Sequence, residues 1–118
     1  MQVKVLLIVE THTRDNIYIA TNDDIPSKEI NGCPKAVAAD ILYDITGYKI
    51  EPDESGWLII ELADTFYEKD KETAYIVFVC RVPGLPDKLE LNTPYKWTEY
   101  SLLRDKLERL KGLLWHAK

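Results

Sequence analysis

Cysteine is scarce in this chain, and clustered positive charge and long apolar runs are missing. Only Cys33 and Cys80 occur among the 118 residues. They lie far apart in different expected elements, so neither a disulfide framework nor a cysteine metal cluster is expected, and Cys80, inside an apolar run, reads as a buried reduced thiol. No stretch approaches the roughly 18 apolar residues that a membrane helix needs. Val5 to Val9 is strand-sized and lacks the small-residue cleavage pattern of a secretory signal, which predicts a cytoplasmic protein without membrane association. Lysine and arginine number 15 against 20 aspartates and glutamates, a net charge of −5. Generic nucleic-acid binding needs grouped cations, and here the nearest group, Arg104, Lys106, Arg109 and Lys111, alternates with Asp105 and Glu108, the pattern of a solvated helix face. The two histidines, His12 in an expected polar turn and His116 in the C-terminal tail, read as solvated. There is no internal repeat and no low-complexity segment.

What is present is the composition of one ordinary globular domain, 46% hydrophobic and 30% charged. A chain of this length buries about two-thirds of its unfolded surface without staples, so residues 1–118 are read as a single domain. Val3 to Glu10 and Asn16 to Thr21 are β-branched and aromatic-rich and predict a hairpin around Thr11 to Asp15. Asn22 to Asn31 is expected to be a connecting loop. Trp57 to Ala63 predicts a strand, Phe66 to Thr73 a charged hairpin connection, and Ala74 to Val82 a strand covered on both faces. After the loop marked by Pro83, Gly84, Pro86 and Pro94, a short strand is expected over Tyr95 to Thr98, with Thr98 offering a cap to a final helix over 99–115. That helix carries Leu103, Leu107, Leu110 and Leu114 on one stripe.

The helix expected over 33–48 has the clearest ends. Pro34 suits the first helical position and Gly47 the left-handed residue that closes the last turn. Val37, Ala38, Ile41, Leu42 and Ile45 recur at three- and four-residue steps, an apolar stripe that must face a core. Lys35, Asp40, Tyr43 and Asp44 are the polar remainder, with the two carboxylates one turn apart on one face. The order of elements predicts an α/β (α+β) domain, a mixed sheet sandwiched between two helices.

In this order the chain resembles a Nudix domain. Ile25-Pro26-Ser27-Lys28-Glu29-Ile30 is similar to the approach that precedes the family's signature Gly-x5-Glu-x7-Arg-Glu-U-x-Glu-Glu-x-Gly-U, in which U is aliphatic. Val37 to Tyr48 resembles its helix and closing Gly-U, and Tyr75 to Val82 followed by Tyr95-Lys96-Trp97-Thr98 resembles the late strand and the step into the last helix. The resemblance implies a Nudix-like α/β/α sandwich. Counted back from Gly47, the family's arginine falls on Asp40, its next glutamate on Ile41, and its paired glutamates on Asp44 and Ile45. The glutamates of active members hold magnesium or manganese on a diphosphate, a task that takes several hard oxygens together. Here one carboxylate of three remains, so the metal-binding motif is degenerate.

Three functions follow. The first is a non-catalytic module that binds a nucleotide-like small molecule without metal or other cofactor, with Lys28, Glu29, Asp40, Ile41, Tyr43, Asp44, Ile45 and Trp97 as candidate binding residues and no catalytic residue assigned. In it, Ile41 and Ile45 are either core or the apolar floor of the former metal site, and Trp97 is either a stacking platform or a core residue at the sheet edge. Asp40 and Asp44 are a solvated pair, a residual single-ion site reached by Glu29, or a polar rim. The second is a magnesium-dependent Nudix hydrolase of a nucleoside diphosphate derivative, using a rearranged set of Glu29, Asp44 and Glu90. The third is a protein-interaction role: Leu102, Leu113 and Trp115 lie off the leucine stripe of the last helix, and Leu113 and Trp115 are the candidate contacts of a homodimer.

Overall fold

The computed structural model describes residues 2–13, 16–22, 24–47, 60–82 and 90–103. Among the described residues, six strands and one α-helix carry the architecture: β1 (Gln2–His12), β2 (Ile17–Thr21), β3 (Ser27–Glu29), α1 (Pro34–Thr46), β4 (Ile60–Glu68), β5 (Thr73–Val82) and β6 (Lys96–Glu99), with short 3-10 helices at Lys69–Lys71 and Tyr100–Leu103. They form one mixed sheet in the order β4-β5-β1-β2-β6, with β3 also paired to β1.

β1 is the axis of this sheet. Along one edge it pairs in parallel with the whole of β5, from Gln2 opposite Thr73 to Thr11 opposite Val82. Its other edge is divided between two antiparallel partners, β2 beside Glu10 to His12 and β3 beside Lys4 to Leu6. Between them the chain leaves the sheet at an Asn22–Asp24 bridge and returns at Pro26, whose carbonyl accepts a hydrogen bond from the Leu7 N–H. β2 and β3 therefore act as one interrupted strand.

Alternation along β1 and β5 divides the core. Val5, Leu7 and Val9, with Phe78, Cys80 and Val82, face α1, where they meet Val37, Ala38, Ile41, Leu42 and Ile45. Leu6, Ile8, Val77 and Val79 face the opposite side with Ile19 and Ile25. Both strands are buried on both faces, as their unbroken apolar runs predict. Cys80 is a buried free thiol, pushed up to about 12 mainly by that burial.

Several boundaries differ from those expected. His12 lies in β1, not in a turn, because the ladder to β2 continues to His12 opposite Ile17 and the turn closes at Thr13 and Asn16. The stretch Asn22 to Asn31 contains β3, and β4 runs on to Glu68, so the hairpin to β5 is only the Lys69–Lys71 helix and a left-handed Glu72. A register shift between Leu62 and Asp64 marks a bulge in β4. Thr98 does not cap a helix. It sits in β6, and its hydroxyl meets that of Thr21 at 2.7 Å, while Glu99 is the last strand residue. The α+β class and the mixed sheet stand, with one α-helix among the described residues. Of the second helix, only the Tyr100–Leu103 turn falls among the described residues, and Leu107, Leu110, Leu113, Leu114 and Trp115 lie outside them. Among the described residues no helix is long and apolar enough to cross a membrane.

α1 ends as its sequence predicts. Gly47 adopts φ 78°, and its N–H bonds the Tyr43 carbonyl at 2.8 Å. Asn92 completes the cap, its backbone N–H donating to Ile45 O at 2.7 Å and its side-chain amide to Asp44 O at 3.2 Å. A Cβ at Gly47 would meet Asn92 only at ordinary contact distance. Gly47→Ala is therefore expected to destabilise the fold through backbone strain alone, by about 1 kcal/mol, and Gly47→Asn by less, measured as the shift in urea midpoint at unchanged m-value.

Candidate functional site

The polar edge of α1 meets β3. Lys28 is registered with Val5, which places it on the α1 side of the sheet, and its ammonium forms a direct ion pair with Asp44. The lysine is held above its ordinary pKa, first by the hydrogen bond to Asp44; burial opposes this as the next largest effect, and the charges of Asp44, Asp40 and Tyr95 add to the rise. Both partners remain close to half exposed, 45% for Lys28 and 42% for Asp44. Exposed pairs of this kind contribute little to stability, so its interest is where it places a cation.

Of the residues chosen from sequence, Lys28, Asp40 and Asp44 are thus brought together. Ile41 and Ile45 are 2% and 0% exposed and belong to the core beneath them. Tyr43 projects outward and is half exposed. Trp97, opposite Ala20 in the β2–β6 ladder, is partly buried against the α1-side core, together with Tyr95 and Leu91. Glu29 does not join them. Strand alternation turns it to the other face, where it accepts a hydrogen bond from the Gln2 amide at 3.0 Å, so it does not reach over to Asp44 as a metal partner. Glu90 is exposed.

This donor set does not fit the divalent metal that the resemblance implies. At two of the three positions where the resemblance puts carboxylates stand buried isoleucines, Asp44 at the third is paired with an ammonium, and no group of three or more metal-ligating side chains is found among the described residues.

A second polar cluster lies on the opposite face, at the carboxyl ends of β1 and β5. Glu10 is fully buried, with Arg81 Nε 3.0 Å and His12 Nε2 3.7 Å from its Oε1, and Arg81 also reaches Glu61 at 3.5 Å. Burial pushes the Glu10 carboxyl up to about 7, outweighing Arg81. His12 is lowered by burial and by Arg81. Sequence reading passed over this cluster. Its signal was there, since Glu10 and Arg81 are the opposite charges near the ends of the two apolar runs, but pairing them needs the parallel register.

The chain superposes on a C. elegans Ap4A hydrolase with a TM-score of 0.67 at 13% identity, covering 97% of this chain and 93% of that one. A mutT/nudix family protein from Listeria innocua matches with 0.62 at 12% identity over 98% and 92% of the two chains. The NUDIX domain of Shewanella oneidensis NrtR, solved with ADP ribose, matches with 0.61 at 9% identity over 87% and 75%. The chain has the Nudix fold. No protein-family model and no curated protein matches the sequence. The fold assignment therefore rests on structure.

Two measurements check this description. Ile41→Glu combined with Ile45→Glu puts two unpaired carboxylates into the core, and a loss of about 3 kcal/mol or more is expected in denaturant unfolding; a negligible change would place these side chains in solvent. Glu10 gives a pH signature. Its folded pKa is raised, so its contribution to stability is fully present below about pH 4.5 and is lost as pH rises through about 7. His12 acts oppositely, favouring the fold above its ordinary 6.5 and less as pH falls. Glu10→Gln is expected to remove the decline between pH 4.5 and 7 from the profile of melting temperature against pH.

Proposed function

We propose that this chain is a non-catalytic Nudix-fold module that binds a nucleotide-like small molecule without a divalent cation. The observation that carries it is the burial of Ile41 and Ile45 at the positions where the resemblance puts glutamates. With them in the core, α1 offers Asp40, Tyr43 and Asp44 outward, too few hard oxygens to hold a metal on a diphosphate and activate water. What remains on this side of the sheet suits binding: a polar rim of Lys28, Asp40 and Asp44, and aromatic surface from Tyr43, Tyr95 and Trp97. Flat rings take a base without demanding a particular edge. The ADP ribose complex of the Shewanella NUDIX domain supports the ligand class by analogy of fold.

A panel of nucleosides, nucleotides and ADP ribose, screened in EDTA by thermal shift and tryptophan fluorescence, tests the proposal. At least one ligand is expected to raise the melting temperature by several degrees and to quench emission, with the quench weakened in Trp97→Phe. Absence of any shift across the panel, or magnesium-dependent release of product from the same compounds, would overturn it.

A further inference from the structure

The misfit between the Nudix fold's metal and this chain's donors has a replacement built into it. In a metal-bridged site, one cation touches both a protein carboxylate and a ligand phosphate. Here a cation already touches the carboxylate. Lys28 comes from β3, which occupies the amino-terminal half of the β1 edge, and its register opposite Val5 sends it toward α1. Its ammonium meets Asp44, and Asp40, one turn earlier, also attracts it. An ammonium carries three donors. The Asp44 contact engages one side of it, and the lysine side chain as a whole remains 45% exposed.

We propose that Lys28 is an internal substitute for the divalent cation, bridging Asp44 to a phosphate oxygen of the bound ligand, so that the site's positive charge is supplied by the fold itself. The inference rests on the proposed metal-independent binding of a nucleotide-like molecule and deepens it by assigning the phosphate contact. It also accounts for the chemistry lost. An ammonium neutralises and orients an oxygen, but it holds no bound water and lowers no water pKa, so a ligand held this way is kept intact. Asp44 and Asp40 set the limit on ligand charge, since one lysine beside two carboxylates leaves this edge negative and favours a ligand that presents few phosphate charges.

Calorimetric titration with ADP, and with adenosine as the phosphate-free control, tests the bridge. Wild-type affinity for ADP is expected to agree within about twofold in EDTA and in millimolar magnesium. Lys28→Met is expected to lose about tenfold toward ADP in EDTA and to keep its adenosine affinity. Lys28→Arg keeps the charge and is expected to keep metal-independent ADP binding. Paramagnetic-resonance titration with manganese alone gives a ligand-free reading, with binding expected to Lys28→Met at lower concentration than to wild type. The bridge is overturned if EDTA abolishes wild-type ADP binding, or if Lys28→Met binds ADP as well as wild type does. Should neither ADP nor adenosine bind wild type, the underlying ligand assignment falls as well, an outcome distinct from adenosine binding that survives while the ADP effects are absent.

Discussion

β1 is hydrogen-bonded on both edges and covered on both faces, and every other described element takes its position from it. β5 lies beside it in parallel over ten residues, while β2 and β3 share the remaining edge. A strand in this setting must be apolar toward both layers, which is why Val5 to Val9 shows no alternation of polar and apolar residues. The pleat then assigns sides: odd-numbered residues of this run to α1, even-numbered ones to the opposite core. Lys28 inherits its direction from Val5, and Glu29 inherits the contrary direction from Lys4. A one-residue slip in the β1–β3 register would exchange them and dismantle the charged edge of α1.

The same economy governs the helix. α1 has thirteen residues, and its six buried positions are spent on packing. Ile41 and Ile45 stand at the centre of that packing, so the helix cannot present carboxylates there without losing its hold on the sheet. Asp40 and Asp44 lie on the solvent side, and Asp44 is in the last turn of the helix, where a negative charge is unfavourable with respect to the helix dipole. Lys28 offsets that cost from outside the helix, and Asn92 satisfies the carbonyls of Asp44 and Ile45. The cap and the countercharge come from different strands' surroundings and converge on one turn of α1.

What could be read from the sequence follows from how local each signal is. α1 was legible to within two residues because Pro34, Gly47 and the stripe from Val37 to Ile45 are all encoded within one short stretch. Cys80 was legible as a buried thiol from the apolar run around it. β3 was not, since Ser-Lys-Glu carries no apolar mark and is extended only because the free edge of β1 offers it partners. β4 was cut short for a related reason: Phe66 and Tyr67 sit among charges, and the hairpin continues by pairing with Tyr75 and Ala74. The candidate site was legible where it depended on the helix, as with Asp40, Asp44 and the isoleucines, and failed at Glu29, whose direction is decided by register. Glu10 and Arg81 were invisible as a pair, because nothing in either segment announces that the two strands run parallel and level.

The long separation between β1 and β5 also bears on how the chain reaches its fold. β1 ends at His12 and its parallel partner β5 begins only at Thr73, so the central seam is a contact of high order that must wait for a large loop to close. During synthesis, Val5 to Val9 has β2, β3 and α1 available to it well before β5, and these nearer elements can cover one edge and one face. The other edge is left as an open template until Thr73 to Val82 arrives. The folding of this domain is thereby expected to be slow for its size, with the early β1–β2–β3–α1 unit as the species most exposed to aggregation and most in need of protection.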